Sequence, residues 1–150
     1  MLLKMIDILN GINVLNNTTL GNSNTMNIKG KFKIATIANA LNARAKTYDE
    51  MQKKLIDQYA VKDSEGKIVT KKDDDGKDSG EVDFGDNEAK FIADKKALLE
   101  QKANVDYTKR ELLNAEDLTG FQFGIFKDGK IENADIEVGF IIQFKGILFE

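Results

Sequence analysis

Residues 31–61 read KFKIATIANALNARAKTYDEMQKKLIDQYAV, contain neither Gly nor Pro, and place Ile34, Leu41, Tyr48 and Leu55 seven positions apart. Ile37, Met51 and Tyr59 fill neighbouring positions on the same stripe. That spacing predicts one long amphipathic helix. Asp49/Lys53 and Glu50/Lys54 are four apart with the acid first, the order that supports a helix. At a rise of ~1.5 Å per residue the helix would be roughly 45 Å long. A compact chain of 150 residues cannot bury both ends of such a rod, so it either protrudes or pairs with a second long helix.

The second helix is expected at 86–103, DNEAKFIADKKALLEQKA. Asp86 or Asn87 is placed to cap it, acids sit in its first turn where the helix dipole favours them, and Phe91, Leu98 and Leu99 form its apolar stripe. The pair is expected to be an antiparallel helical hairpin. Between the helices, KDSEGKIVTKKDDDGKDSGEVDFG holds two turn signals, Glu65-Gly66 and Asp75-Gly76, and two short strand-like pieces at 67–70 and 81–84. It reads as a solvated β-hairpin or Ω-like tip.

Outward from this hairpin, residues 2–10 place Leu2, Met5, Ile6 and Leu9 on one helical face, and Asn10-Gly11 is expected to end that helix. The alternative is a hairpin turning at Asn10-Gly11, with Ile12 and Val14 alternating. Residues 16–27 form a polar loop rich in Asn. The short apolar start is interrupted by Asp7, has no basic region before it and no small-residue cleavage site after it, so it reads as folded structure. It is also shorter than the ~20 apolar residues of a membrane span.

Past 104 the character changes. Residues 105–107 read as extended and 116–120 as a turn or short helix. FQFGIF alternates, Lys127-Asp128-Gly129-Lys130 reads as a hairpin turn, and Ile131 follows. Residues 136–148 alternate through Ile136, Val138, Phe140, Ile142 and Phe144, which favours a strand, as do Ile141-Ile142 and the glycines at 139 and 146. A helical subset, Ile136, Phe140, Phe144 and Ile147, competes with it. The expected fold class is therefore α+β: an antiparallel helical hairpin with a short β-hairpin or loop tip and a small C-terminal β-sheet. One domain is expected, with an N-terminal helix and loop at 1–27, the helical hairpin at 28–103 with its tip at 63–85, and a β-rich part at 104–150.

Composition narrows the chemistry. The chain has no Cys and no His. That removes thiol catalysis, the commonest general base, and the usual zinc and haem ligands, and it fits a reducing compartment. Ser23, Ser64 and Ser79 are the serines, and none sits in a nucleophile elbow. There is no phosphate-binding loop and no dinucleotide fingerprint. Carboxylates remain: Asp73, Asp74, Asp75, Asp78, Glu81 and Asp83. An EF-hand register with Gly76 sixth puts Lys71 first and Val82 twelfth, and one with Gly80 sixth puts Lys77 at a ligand position, so neither serves calcium. The acids read as a solvated loop tip, with a weak divalent-ion site as the alternative. No catalytic residue, metal or cofactor is expected, and the chain is not expected to be an enzyme. With 22 basic and 25 acidic residues, and only Arg44 and Arg110 among the cations being Arg, it is not built like a nucleic-acid binder either.

Candidate interface residues are Tyr48 and Tyr59 on the long helix and Phe121, Phe123, Phe140, Phe144 and Phe149 near the C-terminus, where together with Phe126 the aromatic groups could form a partner-binding sheet edge. Each has a core alternative: tyrosines at that spacing also suit a helix core, and phenylalanines suit a sheet packed on helices. With Ile141, Ile147 and Leu148 added, both faces of a C-terminal sheet would be apolar, and a second subunit would be one source of cover.

A leading apolar helix with an Asn-rich end (MLLKMIDILNGINVLNN), a long helix closing on YDEMQKKLIDQYAVKDSEGK, a charged insert, and then FIADKKALLEQKANVDY together resemble the small uncharacterised proteins of tailed bacteriophages, over about residues 1–113. Residues 120–150 depart from that pattern, being richer in Phe and in strand signals. The resemblance carries no catalytic residue. It implies a phage setting, in the virion or the host cytoplasm, and a protein that works by binding protein. The first expectation is a structural or assembly protein that self-associates or contacts other phage proteins; the second is a small inhibitor of a host defence protein. Contacts with a membrane are not expected.

Overall fold

The computed structural model describes residues 1–21, 26–133 and 138–150. Ser23 and Ile136, and the middle of the expected loop 16–27, lie outside them. The chain is α+β: among the described residues helices dominate, joined by three two-stranded antiparallel sheets. Its contacts group into two compact units, Met1–Ala45 with Lys102–Glu150, and Lys46–Gln101. The division cuts across the three parts expected from sequence, because the N- and C-terminal parts build one unit together.

In the first unit, strand β1 (Leu2–Lys4) pairs with β4 (Lys102–Asn104), Leu3 opposite Ala103. Helix α1 (Met5–Asn17) follows directly. The expected helix at 2–10 is corrected in both start and stop. Residues 2–4 are strand, Leu2 is largely exposed, and the buried face is Met5, Ile8, Gly11, Val14 and Leu15. Asn10-Gly11 does not end the helix. A Cβ on Gly11 would lie 3.0 Å from Leu41 Cδ1 and 3.1 Å from Ile147 Cγ2. The glycine costs the helix about 1 kcal/mol of propensity, and close packing against those side chains offsets it. Thr18 ends the helix, its hydroxyl donating to the Val14 carbonyl at 2.7 Å.

Helix α2 (Ile28–Tyr59) is the long element read from the heptads and carries residues of both units. Asn27 caps it: its Oδ1 accepts the Gly30 amide at 2.8 Å. In the first unit α2 buries Ile34, Ile37 and Leu41. Hairpin strands β5 (Gly124–Lys127) and β6 (Lys130–Asn133) follow a run of turns at 115–120. The turn read at 127–130 is present, with Asp128 and Gly129 at φ 48° and 74°, the type I′ geometry of two-residue hairpins.

The strand expected over 136–148 is corrected. Helix α4 (Val138–Gln143) occupies its described part, and turns follow. Tertiary packing selects the helical subset. Spaced four apart, Phe140 and Phe144 bring their ring centroids to 5.1 Å, with Phe123 5.2 Å and Phe149 6.0 Å from Phe140. Phe123, Phe144, Ile147, Leu148 and Phe149 are buried, while Ile142 on the opposite side is 67% exposed. A strand would have put Phe140, Ile142 and Phe144 on one face.

Tyr107 ties this end to the rest of the unit. Its hydroxyl donates to the Ile147 carbonyl at 2.8 Å, and burial pushes its pKa up to about 12. A folded pKa above the unfolded value of ~10 means the contribution is complete below pH ~10 and is lost as pH rises from there toward the folded value. In a tyrosinate absorbance titration Tyr107 is expected to ionise last. Tyr107→Phe is expected to cost about 1–3 kcal/mol in denaturant melts, since it leaves a buried carbonyl without its donor.

In the second unit, the end of α2 lies antiparallel to helix α3 (Glu88–Glu100). Asn87 donates to the Tyr59 carbonyl, the Tyr59 hydroxyl donates to Asp94, and Gln101 lines one groove with Met51, so the two helices run in opposite directions. Phe91 and Leu98 are buried as expected, with Tyr48, and Phe91 stacks on Phe84 with centroids 4.0 Å apart. Helix α3 is shorter than 86–103: Gly85–Asn87 is a 3₁₀ turn, and Lys102–Asn104 leaves for β1. The tip is a β-hairpin of β2 (Thr70–Lys72) and β3 (Asp78–Val82), with further bonds from Val69 to Val61 and from Asp83 to Val69.

Candidate protein-contact surface

The sequence-predicted interface residues divide sharply. Phe123, Phe144 and Phe149 are buried in the aromatic cluster of the first unit, with Phe121 and Phe140 half-buried beside them. Their cover comes from the chain itself. Tyr48 is 5% exposed in the second unit, and burial followed by the neighbouring Asp49 charge raises its pKa. Buried, these four residues present no surface to a partner. Tyr59 is half-exposed, and its hydroxyl donates to Asp94 Oδ2 at 2.6 Å, a bond that raises its pKa. Beside it, Met51, Leu55, Ala97 and Leu98 line an apolar groove of about 360 Å³.

The acidic tip is turn chemistry. Asp63 Oδ1 accepts the amides of Glu65 and Lys67, each at 2.9 Å, and Asp73 Oδ1 accepts those of Asp75 and Lys77 at 3.0 and 2.8 Å. Asp78 accepts from Gly80, the largest of the bonds that hold its carboxyl below the usual range, and Asp83 accepts from Gly85. Side-chain oxygens that bond their own backbone two to four residues on are what the Asx turn requires. Among the described residues, no group of three or more acids is placed to hold a metal ion.

On the β5–β6 hairpin Phe126, part of the aromatic edge read from the sequence, is joined by two exposed residues that the sequence reading did not single out, Ile125 and Ile131. Ile125, Phe126 and Ile131 are 45%, 37% and 56% exposed. The register puts Phe126 opposite Ile131, Ile125 opposite Glu132, and Lys127 opposite Lys130. Since side chains alternate, Phe126 and Ile131 share one face and Ile125, Lys127, Lys130 and Glu132 share the other. Gly124 makes the first face possible: a Cβ there would lie 2.5 Å from Ile131 Cγ2. The outer edge of β5 is partly occupied, because Thr19 donates to the Gly124 carbonyl and accepts the Gly124 amide. The signal for this surface was in the turn: a two-residue loop at 128–129 places 126 against 131.

The hairpin is a small surface on a stable base, and its apolar groups are expected to matter little for folding. Replacing Phe126 and Ile131 together by Ser is expected to change the unfolding free energy by about 1 kcal/mol or less, the size of one cross-strand pair. Parallel melts of variant and parent check this.

Architecture and surface together define an α+β protein with exposed apolar groups on a short hairpin. Among the described residues, no helix is long and apolar enough to cross a membrane. Comparison of the chain with protein-family models, curated proteins and solved structures gives no match.

Proposed function

We propose that this chain is a non-enzymatic structural or assembly protein of a tailed bacteriophage, acting through protein–protein contacts in the virion or during its assembly. The observation that carries the contact reading is the β5–β6 hairpin, where Ile125, Phe126 and Ile131 are partly exposed although the same unit buries Phe123, Phe144, Ile147, Leu148 and Phe149. Apolar groups grouped on one exposed element suit a contact surface better than a fold requirement. The chemistry of the side chains supports the non-enzymatic part. His and Cys are missing from the sequence, and the tip aspartates accept bonds from their own turns. The phage setting rests on the resemblance of residues 1–113.

Peptide mass spectrometry of purified particles tests the reading. The chain is expected among the virion proteins or in assembly intermediates. Its absence from both, together with stoichiometric retention of a single host protein, would replace this reading with that of a host-defence inhibitor.

A further inference from the structure

The free edge of β6 has the pattern of a strand that pairs with its own copy. A two-residue type I′ turn makes Lys127/Lys130 a hydrogen-bonded pair, so Ile125/Glu132 is another, and the pairs between them are not. The amide and carbonyl of Lys130 and Glu132 therefore point to β5, and those of Ile131 and Asn133 point outward. The same parity explains why the Gly124 carbonyl and amide, on the outward side of β5, are taken by Thr19. Among the described residues, nothing takes the outward groups of Ile131.

We infer that two copies of this chain associate through antiparallel β6–β6 pairing about a two-fold axis at Ile131. In that register Ile131 meets Ile131 of the second copy as a hydrogen-bonded pair, amide to carbonyl in both directions. Lys130 then stands opposite Glu132 of the second copy, and Glu132 opposite its Lys130. Both charge pairs are complementary, as an isologous contact requires. The pairing also gives each Lys130 an acid: within the hairpin it faces only Lys127, a like charge directly across the strands, which destabilises. On the other face, Phe126, Ile131 and their two counterparts line up as a continuous apolar strip across four strands. Asn133 then stands opposite Gly129 of the second copy, a residue with no side chain of its own. A one-residue shift would remove both charge pairs and point the wrong backbone groups at each other. The inference deepens the proposed contact function by naming a partner for the hairpin.

The test is sedimentation velocity of the purified full chain over a range of concentrations, with charge variants. The parent is expected to form a concentration-dependent dimer. Lys130→Glu places like charges at both symmetric positions and is expected to raise the dimer Kd about tenfold or more, as is Glu132→Lys. The double variant K130E/E132K restores both pairs in reversed order and is expected to bring the Kd back to within a few-fold of the parent. These exposed sites leave folding intact, which thermal melts of each variant verify. A parent chain that stays monomeric, or a dimer indifferent to the single variants, or a double variant no better than the singles, overturns the pairing. None of these outcomes bears on whether the chain is found in particles, so the inference and the proposed function fail separately.

Discussion

Replacing Asp117 with Ala is expected to lower the unfolding free energy at neutral pH by about 3–5 kcal/mol, the cost of leaving the other half of a buried ion pair unpartnered. Asp117 is fully buried, and Lys33 Nζ lies 2.6 Å from its Oδ2 with 14% of the lysine side chain exposed. The same oxygen accepts the Asn114 amide at 3.0 Å, and Lys33 also donates to the Leu112 carbonyl at 2.8 Å. Asn27 adds bonds from the helix cap to the carbonyls of Glu116 and Asp117. The start of α2 is thus clamped to the turn at 115–120, and Gly30 lets that turn approach: a Cβ there would lie 2.8 Å from the Asp117 carbonyl oxygen.

Burial alone raises the Asp117 carboxyl; the Lys33 bond, the Asn114 amide and the Lys33 and Lys29 charges outweigh it and hold the group below the usual carboxylate value. A depressed folded pKa means the contribution is present above the unfolded value of ~3.9 and is lost as pH falls through the folded one. Urea melts at neutral and acid pH check both points: the parent is expected to weaken on acidification, while the Asp117→Ala variant loses less over the same range. Among the described residues, Asp117 Oδ1 has no hydrogen-bond partner, which adds to the desolvation the pair must overcome. Lys33→Met together with Asp117→Leu is therefore expected to recover much of the stability lost in either single variant.

Phe149→Ala is expected to cost about 3–5 kcal/mol, because a large ring leaves a packed site that cannot fully collapse. Phe149 is 2% exposed, its ring meets Phe140, and its backbone bonds Gly146. Ile142→Ala, in helix α4, is expected to stay within about 0.5 kcal/mol, since Ile142 is 67% exposed. Chemical denaturation of the two variants side by side checks the helical placement of this segment. A strand with Ile142 on the Phe140/Phe144 face would give it a core-sized loss.

The long helix, the hairpin turns and the absence of His and Cys were readable because each rests on backbone preference or side-chain chemistry within a few residues. Heptad spacing located α2, and Asp75-Gly76 and Asp128-Gly129 located two turns, each supplying the positive φ its loop needs. Tertiary structure decided the rest. Gly11 looked like a helix stop until Leu41 and Ile147 were seen to pack on it, and 138–143 looked like a strand until Phe123 and Phe149 selected its helical face. Asp117 and Lys33, 84 positions apart, carry no local signal of their bond. The candidate surface divides the same way: the turn sets the register of Phe126 against Ile131, but only packing elsewhere determines that these residues stay in solvent while Phe144 and Phe149 do not. Local conformational energy is written in neighbouring residues, whereas burial is the outcome of competition among apolar groups distant in the chain.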